Sequence, residues 1–557
     1  MSRIPRGHET TESGSRRRRF VRVAAIVAVI APSITAFALS TSANGSPTDT
    51  GAANLIPGNL LVSRSVYEDV SGILPGTVLP PGCTSGCGSA TTNGSYPYVF
   101  NNDLVDGSFG ITSPVFLDQI TPSGALVNTI EVPNSLDNGV PGTKDQLVTS
   151  FSSKSEMSLN LSTGGDEVTF MGYLAPVGAL DVSNSNTPSA IDPTNPVPGA
   201  YYRVVGELDA QGKIRYTLTN AYSGNNGRAA ILDDANGDNA LFTAGNAGNG
   251  SNPQPNGIVL GAGTQILTPQ TEAEVAQNPG TPTPVGSFNV TQLGDKADKI
   301  GKDDNFRGLT IFDNVLYYTK GSGSNGVNTV YFLDTTGTAC PNGVGLPVSG
   351  APLPSSPLAY DATTLQTKGL PSNMCILKGF PTTLAKTSTS FPFGVWFANS
   401  NAMYVADEGN GATTYANGAF TVAAAQTTAG LQKWVFNSMT QSWQYAYTLQ
   451  NGLALGAPYV VAGYPTGANA ATGLPWTPAT DGLRNITGRV NADGTVSIWG
   501  VTSTVSGSGD QGADPNKLVE VTDTLSATSP GTESFTTIDS AKFGEVLRGV
   551  SFTPGTK

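Results

Sequence analysis

The stretch Asn305-Phe306-Arg307-Gly308-Leu309-Thr310-Ile311-Phe312-Asp313-Asn314-Val315-Leu316-Tyr317-Tyr318-Thr319-Lys320-Gly321 reads as a β-hairpin. It has an Arg-Gly opening, an apolar run, a tight polar turn and a second apolar run ending in Gly. Variants recur at Glu156–Gly172, Gly227–Gly245, Phe393–Asp407 and Arg484–Gly500, most followed by a second, outer strand pair. A four-stranded unit repeated along the chain is the pattern of a propeller, whose blades bury their faces against one another. Composition agrees: 67 Gly and 38 Pro with only 13% charged residues favour many short strands and turns over amphipathic helices.

The last variant is split between the chain ends. Arg548-Gly549-Val550-Ser551-Phe552-Thr553 opens a hairpin with no successor, and Asn59-Leu60-Leu61-Val62-Ser63-Arg64 is a strand with no predecessor. Pairing them, and adding the hairpin at 115–132, completes a sixth blade and leaves no exposed sheet edge. The expected fold is therefore an all-β, six-bladed propeller over residues 58–557, closed by N- and C-terminal strands in one blade. Seven blades is the alternative, if 66–112 or 335–382 hides another sheet. The fourth strand of the third unit is not placed by sequence.

Residues 1–43 read as an export signal: Arg16-Arg17-Arg18-Arg19-Phe20-Val21-Arg22, then the apolar Val23–Ile30, then small residues. Both a twin-arginine and a Sec route fit this pattern. Residues 44–57 read as a flexible tail. Removing the signal's seven Arg and two Glu from 29 basic and 41 acidic residues leaves 22 and 39, a net charge of −17. Such a body repels nucleic acid and anionic membranes. The expected protein is secreted, extracellular or cell-wall associated, and monomeric.

The sole histidine, His8, lies in the signal. Ser-His-Asp and Cys-His catalysis and His-ligated zinc are thereby excluded from the mature chain. Proximity pairs the four cysteines as Cys83 with Cys87 and Cys340 with Cys375, as disulfides.

In a propeller the innermost strands line a central channel, so the residues that open them gather at one mouth. Here these are Glu156, Arg228, Arg307, Phe393, Arg484 and Arg548. Guanidiniums suit bidentate capture of carboxylate or phosphate, so with Asp407 these charged residues form the candidate ligand site. The competing reading is that each Arg pairs with an inter-blade acid such as Asp304, Asp407, Asp481 or Glu545. Asp407-Glu408-Gly409-Asn410 and the run Asp233–Asn239 could ligate calcium, the one candidate cofactor, although the latter also reads as an ordinary turn. Trp396, Trp434 and Trp443 fall in strand patterns and read as core.

The strand-and-turn motifs Val115–Asp118 with Pro122–Val127, Ser155-Glu156 with Leu159–Ser162, Tyr404–Asp407, Leu431–Trp434 and Arg548–Phe552 resemble those of exported bacterial β-propeller proteins, most without an assigned activity. The resemblance implies fold, not reaction. A weaker likeness is to phytase-like propellers, which use calcium, carboxylates and basic residues on phosphate esters; the dense acidic cluster of such sites is missing. Two functions compete. One is binding of an anionic small molecule, an extracellular glycan or a surface protein at the mouth. The other is a histidine-independent hydrolase (a calcium-dependent phosphoesterase, a lactonase or a glycosidase) with Glu156 and Asp407 as acid and base. An enzyme would need a carboxylate at the mouth that is free of structural pairing and raised in pKa.

Overall fold

A computed structural model describes residues 54–556 except 71, 80–81, 84–86, 103–109, 133–146, 247–262, 271–282, 285–304, 323–325, 341 and 355–373. The export signal and most of the tail thus lie outside the described residues. Six sheets carry the chain. From the inside outward they run Asn160–Leu161, Glu167–Tyr173, Arg203–Asp209 and Ile214–Thr219 in the first blade; Gly227–Asp233, Ala240–Gly245, Thr264–Leu267 and Thr283–Pro284 in the second; and Leu309–Phe312, Val315–Lys320, Thr329–Leu333 and Met374–Leu377 in the third. The fourth has Pro392–Asn399, Ala402–Asp407, Gly430–Asn437 and Ser442–Leu449, and the fifth Ala479–Val490, Thr495–Val505, Lys517–Thr524 and Thr536–Ser540. In the sixth, Glu545–Phe552 from the C-terminal end pairs antiparallel with Leu60–Val66, followed by Val115–Ile120 and Leu126–Val132. Each innermost strand contacts the innermost strands of both neighbouring blades, so the six close a ring.

The Arg-Gly repeat has a steric cause. A Cβ on Gly308 would collide with the Phe393 carbonyl oxygen of the next blade, one on Gly394 with the Arg484 carbonyl, and one on Gly549 with the Met157 carbonyl. The innermost strands approach so closely that only hydrogen fits. The cores lie between sheets. Met171 and Val205 of the first blade meet Ala230 and Leu241 of the second; Tyr404 and Leu431 of the fourth meet Leu483 and Val519 of the fifth; Trp499 and Leu518 of the fifth meet Leu60 and Val550 of the sixth. Trp434 and Trp443 are buried in the core shared by the second, third and fourth blades, and Trp396 packs between the fourth and fifth.

Several local expectations change. The fourth strand of the third blade is Met374–Leu377, fastened by the Cys340–Cys375 disulfide, with Val344–Gly345 added in parallel at its edge. In the second blade the sequence reads Ile258–Leu260 and Gln265–Leu267 as the outer pair; Gln265–Leu267 belongs to the third strand, and Ile258–Leu260 lies outside the described residues. Among its described residues the loop at 66–112 holds the small hairpin Val78–Leu79 with Gly88–Ser89, near the Cys83–Cys87 disulfide, and the 3-10 turn Tyr98–Asn102, and no seventh blade forms among the described residues. Residues 54–57, grouped by composition with the tail, pack on the propeller: Leu55 is buried, its N–H bonds the Ala210 carbonyl at 2.9 Å, and the Ile56 N–H bonds Gln119 Oε1 at 2.7 Å.

Candidate functional site

One end of the ring is covered by the loops that join second and third strands, together with the segment 149–159 linking the sixth blade to the first. Met157 takes a left-handed backbone (φ 63°), which ends any continuous strand before residue 160 and turns Glu156 into this segment. A cavity of about 360 Å³ lies here, lined by Ser152, Ser153, Lys154, Ser155, Asn226, Arg228, Arg307, Gly509, Asp510, Gln511 and Gly512. No aliphatic or aromatic side chain is in that lining. The volume is within the range of small-ligand sites, about 300–1,000 Å³.

The six anticipated site residues have four different roles. Arg228 and Arg307 line the cavity. Arg228 donates to Asn305 Oδ1 and, at 2.8 Å, to the Phe306 carbonyl; Arg307 donates to the hydroxyls of Ser155 and Ser322. The buried Nε of each makes no hydrogen bond among the described residues. Burial lowers the pKa of both: Arg307 adds its repulsion to Arg228, and Arg484 adds its own to Arg307.

Glu156 and Arg548 instead hold the wall in place. Glu156 accepts from Thr149 Oγ1 at 2.8 Å, the Ser150 N–H at 2.9 Å and the Tyr173 hydroxyl. Arg548 donates to Ser65 Oγ at 2.9 Å and to the Phe151 and Ser153 carbonyls, gripping the same segment from the other side. Neither residue lines the cavity.

Arg484 meets a carboxylate that the site reading passed over. Glu408 Oε2 lies 3.5 Å from Arg484 Nε and 3.4 Å from Lys154 Nζ, and Oε1 lies 3.8 Å from Arg307 Nε. Burial alone would raise the Glu408 carboxyl, but Lys154, Arg307 and Arg484 outweigh it and hold it down at about 2. Lys154 keeps 29% of its side-chain surface, yet the surrounding protein desolvates it and lowers its pKa.

Asp407, the neighbour chosen from sequence, is turned away from this cluster. It accepts from Ser390 Oγ at 3.0 Å, the Phe391 and Gly409 N–H groups at 2.8 and 3.0 Å, and Gln432 Nε2 at 3.0 Å. Burial pushes its carboxyl up to about 6 in spite of those bonds. Consecutive side chains leave an extended strand end in opposite directions, so one position separates a loop prop from the hub of the mouth. The pairing acids suggested by sequence are also replaced: Glu545 pairs with Arg64 at 3.0 Å, and Asp481 accepts from the Gly411 N–H at 2.8 Å and from Gln426 at 2.7 Å. Asp304 lies outside the described residues.

Asp510 is the one carboxyl lining the cavity among the described residues. Only 5% exposed, it accepts the Gly512 N–H on Oδ1 at 2.8 Å and has the Ser152 side chain beside it, while Oδ2 accepts no well-formed hydrogen bond among the described residues. Burial, with Asp514 nearby, pushes its pKa up to about 7. No sequence signal distinguished it, because Ser508-Gly509-Asp510-Gln511-Gly512 has the composition of any surface loop.

Among the described residues, the acids singled out for calcium are otherwise engaged. Glu408 is surrounded by cations and Asp407 by N–H and O–H donors, an environment hostile to a metal ion. Asp233 and Asp234 accept from Thr163 and the Gly164 N–H, as turn residues do. Elsewhere among the described residues, one group of metal-ligating types comes together, Asp334 with Cys340 and Cys375, and both cysteines are joined in a disulfide.

No protein-family model matches the chain, and no curated protein matches it. Among solved structures it is similar to the parainfluenza virus 5 hemagglutinin-neuraminidase ectodomain, at 10% identity and TM-score 0.33 over 84% of this chain and 86% of that one. It is also similar to a GH43 β-xylosidase/α-arabinofuranosidase from a compost microbial metagenome, at 8% identity and TM-score 0.26 over 66% and 89% of the two chains. A B. subtilis levansucrase follows, at 10% identity and TM-score 0.29 over 71% and 89%. At these TM-scores none of the likenesses bears on function.

Proposed function

We propose that this protein binds a hydrophilic anion, with an acidic sugar as the best-suited class, in the cavity at the channel mouth. The observation that carries the reading is the charge imbalance around that cavity. In the lining itself, Lys154, Arg228 and Arg307 set three cations against the single carboxyl of Asp510, which is only partly ionised near neutral pH. The Nε atoms of Arg228 and Arg307, in the lining, lack a hydrogen bond among the described residues. Buried cations left short of partners are costly, and an anion would relieve that cost. Serine hydroxyls, Asn226 and Gln511 in the lining suit the hydroxyl groups of a sugar better than an apolar body.

A two-carboxylate hydrolase fits less well, because Asp510 has no second carboxyl beside it in the lining. The export pattern at residues 16–43 supports a location outside the cytoplasm, and the two disulfides are compatible with it.

Calorimetric titration of the mature protein with D-galacturonate, inorganic phosphate and neutral D-galactose tests the reading. Galacturonate should bind and galactose should not. Lys154→Met, which removes one charge-assisted contact, should weaken galacturonate by about tenfold or more. Equal binding of galactose and galacturonate, or no binding of either anion, would overturn it.

A further inference from the structure

Asp510 is a buried acid that has the Ser152 side chain beside it but whose Oδ2 accepts no well-formed hydrogen bond among the described residues, placed in a wall otherwise built from cations and neutral donors. Its position is enforced. A Cβ on Gly512 would collide with the Ser152 carbonyl oxygen, so the 509–512 loop lies directly against the segment carrying Ser152, Ser153 and Lys154. The groups around Asp510 are Lys154, Arg228 and Arg307 in the lining, Arg484 and Arg548 on the innermost strands of the fifth and sixth blades, Ser152 alongside, and Asp514 within its own loop. Asp514 is itself held by the Tyr464 hydroxyl at 2.7 Å and the Ser506 hydroxyl at 2.9 Å.

We infer that the anion enters this cavity together with a proton, which Asp510 carries on its side chain and offers to the ligand as a hydrogen bond. The inference rests on the anion-binding reading and adds to it a specificity-determining residue. An ionised Asp510 would face the bound anion as a like charge in a poorly solvated space. A neutral carboxylic acid donates one hydrogen bond and presents no charge. Bringing a negative charge into the cavity therefore raises the proton affinity of Asp510, and by linkage a proton raises the affinity for the anion. No other carboxyl in the lining can make this exchange, since Glu408, behind it, stays ionised by three cations. Burial already raises the Asp510 carboxyl to about 7, so the exchange falls in the neutral range. It selects a ligand with an acceptor oxygen beside its anionic group, as a uronic acid has.

Titrating galacturonate from pH 5.5 to 9, in two buffers of different ionisation enthalpy, reads the exchange directly. The uronate carboxylate is ionised throughout that range. Above pH about 7 the wild-type protein should take up one proton per anion, and affinity should fall about tenfold per pH unit. Asp510→Asn keeps a neutral donor, so it should bind at pH 8.5 as the wild type does at pH 6, without proton uptake. Asp514→Asn leaves Asp510 in place and should keep the uptake with a lower midpoint, because a neighbouring charge has gone. Proton uptake that persists in Asp510→Asn, or loss of binding at pH 6 in a folded Asp510→Asn, would overturn the inference. Binding without pH dependence in the wild type would overturn it while leaving the anion site standing; no binding at any pH would overturn both.

Discussion

Two buried charge clusters in this molecule are built on opposite terms. Between the fourth and fifth blades, Lys433 and Asp523 have no side-chain exposure, yet every group is matched. Lys433 Nζ donates to Asp523 Oδ2 at 2.9 Å, the Thr524 carbonyl at 2.6 Å and the Tyr447 hydroxyl at 3.1 Å, using its three protons; Asp523 also accepts from the Tyr404 and Tyr447 hydroxyls at 2.5 and 2.8 Å. Nothing is left over for a ligand. At the mouth, one carboxylate serves Lys154, Arg307 and Arg484 at 3.4–3.8 Å, and the Nε atoms of Arg228, Arg307 and Arg484 make no hydrogen bond. A closed cluster holds blades together, whereas an open one is poised to receive something. Buried charge alone marks neither; completeness of pairing separates them.

The comparison breaks most readily at Lys433. Lys433→Met strands Asp523 in the core and should cost about 3–5 kcal/mol by chemical denaturation, with galacturonate affinity unchanged. The double change Lys433→Met with Asp523→Leu should recover much of that loss. A loss below about 1 kcal/mol would show that the closed cluster is no strut. Glu408→Gln should cost less, about 1–3 kcal/mol, because the cavity lets Lys154 reach water. It should also raise anion affinity by removing the internal competitor, so phosphate should lift the melting temperature of this variant more than that of the wild type. An unchanged phosphate response would place Glu408 outside the ligand's reach.

pH acts on the buried acids of both regions. The folded-state pKa values of Asp407, Asp481 and Asp514 rise to about 6, and that of Asp510 to about 7, each through burial first. For groups raised on folding, the stabilising contribution is complete below the unfolded value near 3.8 and is lost as pH climbs through 6–7. Glu408 behaves oppositely: its contribution is present above about 4.5 and disappears as pH falls toward 2. Denaturation free energies should therefore decline from pH 5 to 7.5, less so in Asp510→Asn. A rise over that interval would contradict the assignment.

The fold was legible because its cause is local and repeated. Arg307-Gly308 and Arg548-Gly549 state in two letters what the ring requires, a charged residue at the mouth and a hydrogen where the neighbouring backbone passes. The split blade followed from one strand lacking a successor and another lacking a predecessor. The site was legible only in its cations. Arg228 and Arg307 were found because the repeat aligns them, but Lys154, Glu408 and Asp510 lie in linkers and loops outside the repeat, and tertiary contacts alone bring them together. Choosing Asp407 over Glu408 shows the limit: adjacent acids at a strand end are equivalent in sequence, and the side each faces is set by strand phase. The same holds for Glu156, whose burial beneath Thr149 and Tyr173 depends on the left-handed turn at Met157.

The central claim, that the open cluster at the mouth holds an anion, is tested most directly by diffraction from crystals soaked in selenate, with anomalous scattering locating the selenium. The account predicts a peak in the cavity within hydrogen-bonding reach of Lys154, Arg228 and Arg307, displaced when galacturonate is added. A cavity holding only water, with Glu408 drawn into direct hydrogen bonds with all three of its cations, would contradict it.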